Sequence, residues 1–230
     1  MTIAYRRARR GSLAALTVAA GAATFLVYNG VLLVFATPFN RAFPLYEAML
    51  GLGTWTLVGM TIDIWSRSEH RFRPSRRWPA GFILGTVALN LVAWVANLAP
   101  ALLSRHPRSM LAGTGLTTNP VYVQDVALWL LAFLWVAVGL WKGHGPRTAL
   151  SAVVLSYWAL ESVSVGVDQW WGHHADPASA VVSPNLVPLF LIVGALTVWP
   201  LVSVLRAVAS SQGAEVLAGH ASVSRSSVRG

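Results

Sequence analysis

Apolar runs alternate with short polar segments along the chain. Six of these runs are near 20 residues or longer, which is enough for a helix to cross a hydrocarbon core of about 30 Å. The predicted spans cover about 12–36, 45–65, 79–103, 122–141, 148–170 and 185–206. The pattern predicts an all-α polytopic membrane protein with a six-transmembrane-helix bundle over 1–206. The segment 207–230 has no sustained apolar face and is predicted to be a disordered tail.

Composition supports a membrane protein. Of the 230 residues, 55% are hydrophobic and 11% are charged, whereas a soluble domain carries about 25% charged residues. Eleven tryptophans suit anchoring at the two bilayer surfaces. The net charge of +9 does not indicate nucleic-acid binding, because the basic residues occupy short segments between apolar runs. Their placement is explained by control of membrane topology, so the lipid bilayer is the predicted partner.

The distribution of basic residues predicts the orientation. With six spans, fourteen of the seventeen Lys and Arg residues lie on the side of the N-terminus. The other three are Arg41, Arg105 and Arg108. Cytoplasmic segments carry the excess of Lys and Arg, so both termini are predicted to be cytoplasmic and the protein to be a multi-pass protein of the cell membrane.

The fifth span contains two acidic residues, Glu161 and Asp168, at helical positions seven residues apart. This spacing is two turns, so both side chains lie on one face of the helix. An ionisable group within a membrane helix costs about 2.5–3.5 kcal/mol on insertion scales and usually faces the protein interior or a water-filled cavity. Glu161 is the deeper residue. Tyr28, Asn29 and Asn90 are its predicted hydrogen-bond partners from other spans.

Further polar residues are predicted to reach the same outer half of the membrane. Glu47 begins the second span, Asn119 precedes the fourth, and Asp125 lies about one and a half turns inside it. Asn119 is also a good N-cap, and capping is favoured over ligand contact. Asp125 and Glu47 suit the positive end of a helix dipole, so a structural role is an equal alternative for both. The candidate ligand-binding residues are Glu161, Asp168, Asp125, Asn119 and Glu47.

A metal site is the weaker interpretation of the next polar segment. His173, His174 and Asp176 follow the fifth span and supply ligand types that metals accept. Adjacent histidines point apart on a helix or strand, however, so two hydrated loop histidines are favoured. We predict no cofactor.

Residue content excludes several membrane chemistries. The chain has no cysteine, which removes disulfide exchange, thiolate metal sites and a cysteine nucleophile. No histidine lies within a predicted span, which argues against a bis-histidine haem in the bundle and against an intramembrane Ser–His protease. The single lysine, Lys142, lies at a loop edge rather than inside a helix where a retinal Schiff base would need it.

Two segments resemble a family of uncharacterised bacterial multi-span integral membrane proteins. They are TGLTTNPVYVQD at 114–125 and LESVSVGVDQW at 160–170. The resemblance implies a compact helical bundle in a bacterial inner membrane. It carries no assigned activity and no catalytic residue.

The leading functional hypothesis is a protein that binds or transports a small molecule or ion through an acidic site on the outer side. One alternative is an intramembrane enzyme that uses Glu161 and Asp168 as an acid/base pair on a lipid. Another is a non-catalytic scaffold or complex subunit, in which Gly51, Gly53 and Gly59 permit close helix contact. The sequence leaves open whether the protein is an enzyme, its oligomeric state and any protein partner.

Overall fold

The computed structural model describes residues 8, 11–69, 77–104, 111–178 and 182–227, with side chains through Ser211. Within these ranges the chain is all-α and contains six helices long and apolar enough to cross a membrane. The helices are α1 (Leu13–Phe35), α2 (Phe43–Ser68), α3 (Arg77–Leu103), α4 (Pro120–Trp141), α5 (Gly145–Ala175) and α6 (Val187–Ser227). A 3₁₀ turn, Pro184–Leu186, leads into α6.

Helix starts follow local sequence signals. The Ser12 side chain accepts a hydrogen bond from the Ala15 amide and caps α1. Pro44, Pro120 and Pro184 each stand in the first turn of a helix, where a missing N–H leaves no hydrogen bond unmade. The side chain of Asn119 caps α4 by accepting from the Tyr122 amide at 3.1 Å, so the predicted capping role is confirmed.

Helix α5 lies at the centre of the bundle. It packs against α1, α2, α4 and α6, and it is the most buried of the six helices. Helix α3 packs mainly on α4. Large apolar side chains on the outer faces of α2, α3 and α6 are exposed, among them Trp55, Leu89 and Trp199. The chain therefore has an apolar perimeter around a core built on α5.

Glycines permit two close helix contacts. A Cβ at Gly21 of α1 would overlap the Ser156 side chain of α5, so only glycine allows this approach. A Cβ at Gly53 of α2 would lie 3.3 Å from Val27 of α1. Gly51 and Gly59 face open space instead. Of the three α2 glycines predicted to permit close contact, Gly53 is therefore the one at a helix–helix contact in this chain.

Two helices differ from the sequence pattern. Helix α4 changes to π geometry over Asp125–Trp129, and the amide of Leu130 bonds to the Asp125 carbonyl. Helix α6 continues past the predicted end of the sixth span to Ser227, across the segment expected to be disordered. Ala207 and Val208 are buried, so packing against the bundle carries the helix beyond that end. Pro200, inside α6, does not end it.

Ten of the seventeen basic residues that predict the orientation lie outside the described residues. They are the arginines at 6, 7, 9, 10, 71, 73, 76, 105, 108 and 229. At the end of α2, Asp63 accepts a hydrogen bond from Arg67 at 2.7 Å, and both side chains are more than a third exposed. An Asp and an Arg four residues apart lie on one face of a helix, where such a pair can form.

Candidate functional site

Four helices bring polar side chains together inside the bundle. We name this group the interior acidic cluster: Asp125 of α4, Glu161 of α5, Tyr28 and Asn29 of α1, and Trp94 of α3. Both acids are partly buried, and Tyr28 is only 5% exposed. Two of the predicted site residues, Asp125 and Glu161, therefore lie in one cluster although they are far apart in sequence.

A neutral donor holds the Asp125 carboxyl group. The indole N–H of Trp94 donates to Oδ2 of Asp125 at 3.0 Å. Tyr28 interacts electrostatically with the same carboxyl group, and the Tyr157 ring packs beside Tyr28. Asp125 is also the first residue of the π segment, whose wider turn shifts the following side chains relative to an α-helix. Such segments occur often at functional sites.

The Glu161 carboxyl group has an amide partner. Nδ2 of Asn29 donates to Oε2 of Glu161 at 3.2 Å and to the carbonyl of Phe25, one turn earlier in α1. This confirms one of the three partners predicted for Glu161. Asn90 instead donates to the Thr86 carbonyl of its own helix. Tyr28 interacts with Glu161 electrostatically.

A layer of aromatic rings packs against Tyr28 of the interior acidic cluster. The ring centroids of Tyr28 and Tyr157 are 5.5 Å apart, and Trp129 stacks on Tyr157 at 6.3 Å. The buried Gln124 donates to the Tyr28 carbonyl at 3.3 Å and accepts from the Trp129 indole at 3.0 Å. These contacts join α1, α4 and α5, so the rings and the amide fix the position of the Tyr28 hydroxyl.

The charges of the cluster have the same sign. Glu161 interacts electrostatically with Asp125 and with Asp168. Among the residues that the structure describes, no Arg, Lys or His is a charge partner of Asp125 or Glu161. Two carboxyl groups thus lie within the bundle with an amide and an indole donor and, among the described residues, without a counter-charge. Such an arrangement can hold a proton or a cation.

The remaining predicted ligand-binding residues lie outside this cluster. Asp168 is exposed, two turns beyond Glu161 on α5. Asn119 uses its side-chain oxygen to cap α4. Glu47 is exposed near the start of α2. The structure therefore distinguishes two partly buried acids, Asp125 and Glu161, from two exposed acids, Asp168 and Glu47.

The histidine segment lies at the end of α5. The His174 ring packs on Trp170 at 4.3 Å, and its Nδ1 is 2.7 Å from the Trp170 carbonyl. The rings of His173 and His174 are nearly perpendicular, with centroids 6.2 Å apart. The Asp176 carboxyl group accepts from the Ala178 amide. In the described ranges, no three His, Asp or Glu side chains form a group that could hold a metal ion.

The sequence pattern does not single out Trp94, Gln124, Trp129 or Tyr157, which belong to the cluster or pack against it. Gln124 did carry a signal, because it stands beside Asp125 in an otherwise apolar segment. Tyr157 carried one as well, since it lies four residues before Glu161 and so one turn away on the same helix face. Trp94 carried none, because tryptophan is common throughout this chain and its role depends on how α3 packs on α4.

No family model, curated protein or solved structure matches this chain. The resemblance to uncharacterised bacterial membrane proteins therefore stays a prediction.

Proposed function

We propose that the protein is a six-span integral membrane protein that binds or transports a small cation or cationic molecule through the interior acidic cluster. Both termini face the cytoplasm, the membrane is a bacterial inner membrane, and the cluster opens to the outer side. The six long apolar helices and their exposed apolar side chains support insertion in a bilayer. The excess of basic residues on the side of the N-terminus supports the orientation.

The observation that carries the proposal is the uncompensated pair of carboxyl groups, Asp125 and Glu161. An ionised carboxylate away from water is costly unless it is paired. Here the donors are neutral: Asn29 for Glu161 and Trp94 for Asp125. A bound cation or proton supplies the missing positive charge.

The residues take different roles in this proposal. Glu161, in the middle of α5, is the inner acceptor, and Asp125 is the second acceptor at the same site. The exposed Asp168 attracts a cation to the entrance. Asn119 sets the start of α4 and so the depth of Asp125. Binding is favoured over lipid chemistry because Glu161 has an acidic neighbour inside the bundle, whereas its partner in an acid/base pair, Asp168, is exposed.

The test is cation flux in proteoliposomes that contain a pH-sensitive dye. Proton entry is followed after a potassium diffusion potential is imposed, and uptake of radioactive sodium is followed in parallel. We expect Glu161→Gln and Asp125→Asn each to abolish the flux that the unmodified protein shows. Asp168→Asn is expected to slow the flux at low cation concentration, because Asp168 is assigned to the entrance and not to the site.

Asp63→Asn is the matched control, since it removes an acid that already has an arginine partner. It should leave the flux unchanged. If Glu161→Gln and Asp125→Asn both retain the flux of the unmodified protein, the cluster is not the site. If the unmodified protein moves neither protons nor sodium, binding of organic amines is measured next with the same variants, and failure of both assays rejects the proposal.

A further inference from the structure

The hairpin between α4 and α5 holds an arginine in an unusual position. Arg147, in the first turn of α5, packs its aliphatic stem against Gly139 of α4, where any Cβ would overlap it. Its guanidinium carbon then lies 4.1 Å from the centre of the Trp135 ring. Gly139 thus provides a slot that directs the Arg147 side chain along α4, away from the end of the hairpin.

Most N–H donors of the Arg147 guanidinium have no hydrogen-bond acceptor among the described residues. An arginine carries five N–H donors. Nη1 of Arg147 reaches the Trp135 carbonyl at 3.5 Å, at the limit of a hydrogen bond, and Nε is buried with no hydrogen-bond partner. In the part of the chain that the structure describes, the ion pair within 4.0 Å is Asp63–Arg67, so Arg147 has no carboxylate partner there. The Nε atom is enclosed by the protein, so the Nη donors that remain are the ones with which Arg147 can bind an anion.

The surroundings suit the boundary of a bilayer. Trp65, near the end of α2, stacks on Trp135 at 5.8 Å and 13°, and its ring is 5.6 Å from His144. Lys142 is exposed in the turn that follows α4. Tryptophan rings and basic side chains at helix ends are typical of the headgroup region. Trp135 is 43% exposed on the outer face of α4, and Arg147 beside it is itself partly exposed, so a lipid on this face can approach the Arg147 side chain.

We propose that Arg147, with Lys142 and the Trp65–Trp135 pair, binds the phosphate group of an anionic phospholipid in the leaflet at this end of the bundle. The inference depends on the six-span arrangement in the proposed function but not on the acidic cluster. A planar guanidinium matches two phosphate oxygens, and basic pockets between membrane helices bind anionic headgroups. The acyl chains would lie along the exposed apolar face of α4.

A lipid is favoured over free phosphate because apolar and aromatic surface flanks the guanidinium. Leu131 and Leu134 of α4 are both exposed on the helix that carries Trp135. A soluble anion would gain from the charge alone, whereas a phospholipid also covers this apolar surface. The preference for a lipid is therefore a testable part of the proposal.

The experiment counts lipids retained by the purified full-length protein in native mass spectrometry. The protein is supplied with equal amounts of phosphatidylglycerol and phosphatidylcholine, and inorganic phosphate is added in a separate series. We expect preferential retention of phosphatidylglycerol and about a fivefold loss of affinity in Arg147→Gln, the change expected for one basic residue near an anionic surface.

Three further variants distinguish the effect of the Arg147 side chain's position from the effect of its charge. Gly139→Ala keeps every charge but forces the Arg147 stem out of its slot, and it should also weaken phosphatidylglycerol binding. Its matched control is Gly85→Ala, because Gly85 of α3 faces open space. Arg206→Gln removes an exposed arginine from α6 and controls for net charge. Both controls should bind phosphatidylglycerol like the unmodified protein.

Several results would overturn the inference. One is equal retention of the two lipids by the unmodified protein. Another is unchanged phosphatidylglycerol binding in Arg147→Gln or, if that variant does not fold, in Gly139→Ala. Competition by inorganic phosphate at equal concentration would assign the site to a free anion. A protein that does not insert into bilayers would overturn the proposed function as well, whereas the lipid-binding results above overturn only this inference.

Discussion

Two groups of acidic side chains in this chain have different kinds of partner. At the end of α2, Asp63 is paired with Arg67 at 2.7 Å on a side of the helix that is more than a third exposed. Inside the bundle, Asp125 accepts a hydrogen bond from Trp94, and Glu161 accepts one from Asn29. The surface acid has a formal counter-charge. The interior acids, where a charge is more costly, have only neutral donors among the described residues.

This difference separates a structural role from a functional one. An arginine four residues away satisfies an acid locally and permanently, which suits a residue whose task is to lie at a helix end. Neutral donors orient a carboxyl group but leave its charge open to a proton or a cation. The Asp63–Arg67 pair depends on one helix alone. The hydrogen bonds of Asp125 and Glu161 are expected to depend on the packing of several helices.

The largest expected effect comes from the contact that sets α1 against α5. Gly21→Ala would place a Cβ against Ser156 and 2.9 Å from the Val153 carbonyl, so the two helices must move apart. We expect a loss of about 1–3 kcal/mol in the free energy of unfolding, the usual cost of overpacking. Circular dichroism during titration with sodium dodecyl sulfate measures it.

Gly59→Ala is the matched control for this variant. Gly59 lies on α2, one turn before Asp63, and its Cβ would meet open space. We expect it to leave stability unchanged or slightly raised, because alanine favours a helix over glycine. Equal stability of the two alanine variants would show that the α1–α5 contact is not tight and that Tyr28 and Tyr157 are not held by it.

A smaller effect is expected from the amide that holds Glu161. Asn29→Leu keeps the size of the side chain but removes the donor to Oε2. We expect a loss of about 1 kcal/mol, within the range of hydrogen bonds between membrane helices. The same substitution should cost less in a Glu161→Gln background, because the donor then has a weaker acceptor. A double-mutant cycle on unfolding free energies checks this coupling.

Asn90→Leu is the control for that cycle. Asn90 lies in α3 and donates to the Thr86 carbonyl of its own helix, so no contact with Glu161 is lost. We expect no coupling between Asn90 and Glu161. Coupling of equal size for Asn29 and Asn90 would mean that the substitutions act on general helix packing and not on the carboxyl group.

These residues show how far the sequence predicts the site. A local signal was enough for the cap by Asn119, because the cap depends on residues within four positions. The helix starts at Pro44 and Pro120 and the Asp63–Arg67 pair depend on equally local signals. Depth within a span was enough to single out Glu161. The partner Asn29 could be named as one of three candidates, because few polar residues lie at interior depth.

The rest of the site depends on how the helices are rotated and paired. Trp94 reaches Asp125 because α3 packs on α4, and hydropathy contains no information on that pairing. The π segment at Asp125 is one inserted residue in a helix of ordinary composition. The continuation of α6 across Ala207 and Val208 likewise follows from burial against the bundle. A segment rich in serine and alanine does not indicate such burial.

A still smaller effect is expected from the indole donor to Asp125. Trp94→Phe keeps an aromatic ring for the edge contact with Tyr122, now at 5.6 Å, and removes the N–H that bonds Oδ2 at 3.0 Å. We expect a loss of about 0.6 kcal/mol, the average for such bonds in a membrane protein. Trp55→Phe, at a position 73% exposed on α2, is the control and should cost nothing. Circular dichroism is the suitable measurement because both changes alter tryptophan fluorescence.

The smallest effect is expected at the surface pair itself. Arg67→Gln should change the unfolding free energy by less than about 0.5 kcal/mol, because exposed ion pairs at this spacing contribute little. A cycle with Asp63→Asn, repeated at high salt, measures the coupling of the pair and its screening. The comparison with Asn29 and Glu161 is then direct. If the exposed pair couples more strongly than the interior amide and carboxyl group, Glu161 is not held by its neutral donor as the geometry indicates. Neutral donors would then no longer distinguish the interior acids, and the argument for a cation at that cluster would lose its physical basis.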